Sequence, residues 1–185
     1  MIDELLLDCE ERMEKALASV TKDFTQIRTG KATTALLDNI KVECYDQLMP
    51  LNQVATVGAP EMRLLTIQPW DKTNLQAIEK AIQKSDLGLN PANDGHIIRL
   101  AIPQLTEDRR KELVKHVKRY GEDGKIAIRN IRRDIIEKLK KMEKDKEIRE
   151  DDLYRAQEDV QKLTDDFTNK IDAVVKIKEE EIMTV

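Results

Sequence analysis

Apolar residues between positions 1 and 29 recur every three or four places: Ile2, Leu6, Cys9, Met13, Ala16, Val20, Phe24 and Ile27. That spacing lays one stripe along a helix. It stops at Thr29-Gly30, where glycine suits a helix C-cap. The same period returns over 107–147 with Leu113, Val117, Tyr120, Gly124, Ala127, Ile131, Ile135, Leu139 and Met142. Thr106 followed by Glu107-Asp108 supplies a capping side chain and then acids for the positive end of the dipole. After Arg149–Asp152 a third stripe runs through Leu153, Ala156, Val160, Leu163, Phe167, Ile171, Val174 and Ile177. Three long helices can hide such stripes only against one another, so a three-helix bundle is expected. About 38 residues at 1.5 Å rise make a rod on the order of 55–60 Å long.

Residues 30–106 have a different period. Ile40–Tyr45, Val54–Val57, Arg63–Gln68 and Ile97–Ala101 read as short strands. Between them one helix fits, with Thr73 as N-cap, Gln76 completing a capping box, and Leu75, Ile78, Ala81 and Ile82 on one face. Gly88 and Pro91 close it, and Asn93-Asp94-Gly95 signals a tight turn. The fold class is therefore α+β. A discontinuous bundle (1–30 and 105–185) carries an inserted α+β domain (31–104). The chain crosses twice between them, near Gly30-Lys31 and across Pro103, Gln104 and Leu105, and a double crossing permits hinge rotation.

Charged residues make up 37 % of the chain and aromatics 3 %, with only 6 Gly and 5 Pro. That balance suits long solvated helices. No run of 18 apolar residues is present, so no membrane partner is expected. The start Met1-Ile2-Asp3-Glu4 resembles neither a signal nor a transit peptide, and a cytoplasmic protein is expected.

The net charge of −4 conceals opposed parts. Residues 109–149 hold 16 Lys/Arg against 8 Asp/Glu, whereas 150–183 hold 5 against 11. At 100° per residue, Arg110, Lys111, Lys118, Lys125, Arg129 and Arg132 fall within an arc of about 100°. Ile128-Arg129-Asn130-Ile131-Arg132-Arg133 places a third guanidinium close to two of these. Two readings follow. The stripe is a solvated face paired with the acidic helix, or it is a phosphate-binding face, since arginine forks onto phosphate and A-form RNA is read through backbone and shape.

Several chemistries find no support. There is no GxxxxGK[ST] or GxGxxG loop, no GxSxG, no HExxH and no CxxC. His96 and His116 stand alone and read as structural or surface residues. Cys9 and Cys44 read as buried thiols rather than metal ligands. Trp70 reads as a packing anchor, with a binding role as the alternative. No enzymatic activity, cofactor, metal or small-molecule substrate is expected.

Collinear segments carry a resemblance along nearly the whole chain. They include Arg28-Thr29-Gly30-Lys31-Ala32, Leu36–Ile40, Ile67–Lys72, Ile78–Ile82, Ser85–Pro91, Ile98–Leu100, Leu105–Leu113, Ala127–Asp134, Gln161–Asp165 and Glu181–Met183. In these the chain resembles the bacterial ribosome recycling factors. The resemblance implies an antiparallel three-helix bundle with a β/α/β domain inserted through a flexible hinge, L-shaped and tRNA-like in outline. It implies a monomer that binds 23S-type RNA of the large ribosomal subunit. With elongation factor G and its GTP hydrolysis, such a protein splits the post-termination ribosome. The positions matching the family's RNA-contacting arginines are Arg110, Arg129 and Arg132, with Arg133 and Arg28 as further candidates. Two departures are Cys44-Tyr45-Asp46 in place of Tyr-Tyr-Gly, and Ile135-Ile136 at usually more polar positions. The N-terminal extension of organellar members is missing, which points to a bacterial protein. The competing reading is a spectrin-like helical adaptor, which explains the stripes but neither the insertion nor the arginines.

Overall fold

The computed structural model describes residues 1–184. In chain order they form α1 (Ile2–Thr25), β1 (Lys41–Cys44), β2 (Gln47–Pro50), β3 (Ala55–Glu61), β4 (Leu64–Pro69), α2 (Leu75–Lys84), β5 (Pro91–Asn93), β6 (Ile98–Ala101), α3 (Glu107–Lys144) and α4 (Glu150–Thr184). Short 3-10 turns lie at Thr34–Leu37, Leu51–Gln53 and Lys72–Asn74. The chain divides into two units, one of Met1–Ile27 and Lys111–Met183, the other of Arg28–Arg110.

In the helical unit, α1 and α4 run antiparallel to α3. Arg12 meets Asp134 while Val20 lies over Gly124, so numbers rise along α1 as they fall along α3. Lys118 faces Glu179 and Lys125 meets Asp172, which gives α4 the same sense. The core is built from Cys9, Met13, Ile128, Ile135, Leu139, Val160, Phe167 and Ile171. Fully burying such side chains contributes about 1.5–3 kcal/mol each. The buried line of α3 is Leu113, Val117, Gly121, Gly124, Ile128, Ile131, Ile135 and Leu139. The expected Tyr120 is 40 % exposed, and Ala127 is only half-buried. Gly121 and Ile128 take the core places instead. A Cβ at Gly121 would sit 2.5 Å from Val175 Cγ2, and one at Gly124 2.5 Å from Val20 Cγ2. Two glycines near one face let both neighbouring helices approach there, which turns the core side of α3 roughly 25° toward its basic residues.

The helix ends follow local hydrogen bonding. α1 stops at Thr25, short of the expected Gly30 cap. The Gln26 and Ile27 amides donate to Asp23 and Phe24, which tightens the last turn to i→i−3 bonds. The N-terminus of α3 is capped as expected, by Thr106 Oγ1 accepting from the Arg109 amide at 3.2 Å. Its C-terminus is a Schellman motif: the Lys146 amide bonds Glu143 O and the Glu147 amide bonds Met142 O, with Lys146 at φ 59°. Asp152 then accepts from the Arg149 amide at the start of α4.

The other unit holds two antiparallel sheets, β1-β2 and β3-β4-β6-β5. Alternation along β1 and β4 sends Val42, Cys44, Leu65 and Ile67 inward, and Ile78 and Ile82 of α2 join the same core. Strands β2 and β5 carry little pattern in the sequence, because Gln47–Pro50 and Pro91–Asn93 are short and only partly buried. The β1-β2 turn places Tyr45 at φ 53° and Asp46 at φ 60°, the left-handed pair of a type I′ hairpin. Asp71, rather than Thr73, opens the approach to α2: its side chain accepts from the Thr73 amide at 3.0 Å, and Thr73 lies inside the 3-10 turn. The Asn93–Gly95 turn is present, with Asp94 accepting from the His96 and Ile97 amides and from Arg99.

Candidate nucleic-acid interface

The basic residues of α3 separate into two groups by what they touch. Lys125 Nζ lies 2.5 Å from Asp172 of α4 and 3.2 Å from Glu122. The hydrogen bond to Asp172 is the main cause holding the ammonium above its ordinary pKa. Lys118 faces Glu179 of α4 at 4.0 Å. That distance is a Coulombic contact and not a hydrogen bond, and Glu179 Oε1 is buried without a hydrogen-bond partner. For these two lysines the solvated, ion-paired reading holds.

Arg129, Arg132 and Arg133 differ. Among the described residues none of the three has a salt bridge within 4.0 Å. They line one shallow groove with Ile136, Glu137 and Lys140. Arg129 and Arg133 are exposed and Arg132 is half-buried. The turn of the α3 core toward its basic side explains that burial, since Arg132 sits at the shoulder of the packed face. Its Nε is sealed from water and has no hydrogen-bond partner. A buried donor left unmatched costs about 1–3 kcal/mol.

The remaining expected residues fall elsewhere. Arg110 is in the first turn of α3 and half-buried. Arg28 points at protein: Nη1 donates to Leu87 O at 2.6 Å and Nη2 to Asp86 O at 2.7 Å. Gly30 is buried at φ 80°, and Lys31 is exposed. Pro103 and Gln104 are exposed and Leu105 is half-buried. Ile136 and Lys140 join the groove although the sequence reading left them out of it. Lys140 lies two turns beyond Arg133, and that spacing alone could have placed it there.

Cys9 and Cys44 are buried free thiols. Burial pushes the Cys9 thiol up to about 11, against the partial opposition of Arg12. Burial also raises Cys44. Trp70 is not a packing anchor: it is 65 % exposed, with Nε1 donating to Thr56 Oγ1 at 2.8 Å. The Tyr45 hydroxyl donates to Asp71 at 2.9 Å. Among the described residues no group of three or more His, Cys, Asp or Glu side chains is placed to hold a metal. Among them, too, no helix is long and apolar enough to cross a membrane.

Comparison with known proteins agrees along the whole length. The sequence model of a family described as "Ribosome recycling factor" matches residues 20–183. A ribosome-recycling factor of Nitratidesulfovibrio vulgaris is 56 % identical, over 100 % of this chain and 99 % of its own length. One from Bacillus licheniformis is 53 % identical, over 100 % of both. Among solved structures, the solution structure of a ribosome recycling factor superposes with a TM-score of 0.81 at 38 % identity, covering 100 % of this chain and 98 % of that one. A second is a T. thermophilus ribosome recycling factor seen together with E. coli elongation factor G, bound to the E. coli post-termination complex. It gives a TM-score of 0.67 at 48 % identity over 98 % of each chain.

Proposed function

The chain belongs to the ribosome recycling factor family, and from that premise we propose that the arginine groove of α3 is the surface by which it holds ribosomal RNA. As a member of that family it is a non-enzymatic translation factor that serves ribosome recycling. Its partners are the post-termination ribosome and elongation factor G, the pair with which the T. thermophilus relative is assembled. The place of action in this reading is the cytoplasm, where translating ribosomes are.

The observation that carries the reading is the division of α3's cations. Lys118 and Lys125 are matched by acids of α4, whereas Arg129, Arg132 and Arg133 are not, and these three share a groove with Lys140. Exposed ion pairs contribute about 0–1 kcal/mol, so unpaired guanidiniums do little for the bundle. Toward phosphate each offers a planar fork of donors. The groove also holds Glu137, which disfavours an unselective polyanion grip and favours a register in which phosphates meet the arginines and avoid the carboxylate. In this reading Arg110 is a further RNA contact, and two chain crossings, one following α1 and one at 103–105, supply the hinge.

Binding to purified large subunits across a salt series tests it. Arg132→Ala and Arg129→Ala should each weaken binding and lower the log–log salt slope by about one, with unchanged helicity. Unchanged slopes in both variants would sink the reading. The spectrin-like adaptor reading is not favoured, because family membership covers the bundle and the insertion together.

A further inference from the structure

The first crossing between the units is fastened at more points than a free hinge would be. Arg28 caps the carbonyls of Asp86 and Leu87 with two guanidinium hydrogen bonds, and the Leu87 side chain beside them is buried in the core of the small unit. Thr29 is 5 % exposed, Gly30 is buried, and Ala32 is 5 % exposed. The Ala32 amide donates to Met62 O at 2.7 Å. The returning crossing is fastened at the neighbouring carbonyl, where the Ile102 amide donates to Arg63 O at 2.9 Å. Residues 28–32 are therefore a strap sewn to the small unit at both ends, and the β3-β4 turn clasps the incoming and outgoing chain side by side.

We infer that Arg28 is a positioning residue, not an RNA contact. Its fork over the Asp86 and Leu87 carbonyls fixes the strap, so the small unit pivots at the junction of α1 with Arg28 and not within Gly30-Lys31. The inference rests on the recycling reading above, in which the two units move. A guanidinium suits this task because its planar fork reaches two adjacent carbonyls at once, and such charge-assisted bonds are the stronger kind. Lysine offers a single ammonium and cannot bridge both in the same geometry. The close of the strap requires Gly30 at φ 80°, a conformation that costs a β-carbon-bearing residue strain. With the strap fixed, the first crossing bends at one point. The second keeps Pro103, Gln104 and Leu105 between the Ile102 clasp and the Thr106 cap of α3.

Full-length Arg28→Ala and Arg28→Lys variants test this by three readouts against wild type. Amide hydrogen exchange across residues 29–32 should quicken roughly tenfold or more in both variants, while the core strands β4 and β6 and the middle of α1 stay as protected as before. Large-subunit binding should keep its salt slope in both variants. Subunit splitting with elongation factor G and GTP should fall several-fold in both. A slope lowered by about one in Arg28→Ala and restored in Arg28→Lys would make Arg28 a phosphate contact and overturn the proposal. Unchanged exchange would show that the fork does not hold the strap. Quickened exchange with normal splitting would show a clamp without a part in recycling, which also overturns it. The Arg132→Ala control separates the two readings: if that variant binds and splits normally, the RNA-face reading fails, while the exchange result still decides whether Arg28 fixes the strap.

Discussion

The close approach of α1 to α3 at Gly124 gives a sharp test of how the bundle core is built. A Cβ at Gly124 would lie 2.5 Å from Val20 Cγ2 and 3.3 Å from Ile171 Cδ1. Carbon pairs prefer about 3.5–4.0 Å, so roughly 1 Å must be found from somewhere. Val20 cannot supply it by rotation, because a β-branched side chain on a helix has essentially one χ1 well. Gly124→Ala therefore overpacks the core at a cost of about 1–3 kcal/mol, offset by about 1 kcal/mol of helix propensity. Val20→Ala alone removes two methyl groups from a residue 5 % exposed and costs about 2 kcal/mol. Together the two changes remove two methyls from α1 and add one to α3, so part of the loss should be recovered. A double-mutant cycle should thus show coupling of about 1–3 kcal/mol in the compensating direction. Urea unfolding followed by helical circular dichroism reads it, because that signal is dominated by the bundle. If the two single effects add within about 0.5 kcal/mol, Val20 and Gly124 are not in contact and this packing is wrong.

Two further expectations concern backbone and charge. Asp46 at φ 60° and Lys146 at φ 59° occupy positions that glycine fills without strain, so Asp46→Gly and Lys146→Gly should each stabilise the protein by about 0.5–1 kcal/mol, read as a raised urea midpoint. Loss of stability in both would refute the assignment of a type I′ hairpin and a Schellman end. Asp134 is held below the usual carboxylate range, first by its hydrogen bond from Arg12 and then by Lys138. A depressed carboxylate contributes stability above its unfolded pKa of about 4 and loses it as pH falls through the folded value. Asp134→Asn should accordingly flatten the fall in urea midpoint below about pH 4, and an unchanged acid limb would remove Asp134 from that role.

The order of elements and the character of the helices are local properties of the chain, and so could be read along it. Period and caps decide whether an isolated stretch forms a helix, and neither needs a distant partner. The stripes through Cys9, Met13, Val20 and Phe24, through Leu113 and Ile135, and through Val160 and Phe167 are the buried lines of α1, α3 and α4. The Thr106 cap and the Asn93–Gly95 turn are likewise written in a few adjacent residues. The basic arc of α3 was legible because charge and a 100° step need no neighbour to be known.

Which members of that arc are already matched depends on how distant segments pack. Asp172 and Glu179 lie about fifty residues or more from Lys125 and Lys118 in sequence, and only the antiparallel pairing of α3 with α4 brings them face to face. The same pairing made Gly121 a core position in place of Tyr120. A glycine carries no hydrophobic signal, and its value appears only when a second helix presses on the space it leaves. Arg28 shows the limit most clearly. In sequence it is one more arginine beside a flexible glycine, and its two partners at Asp86 and Leu87 are backbone carbonyls, which every residue possesses and no side-chain pattern marks. A bond to backbone at a separation of 58 or 59 residues is specified by the packing of the whole small unit, so it became visible only once that unit was folded.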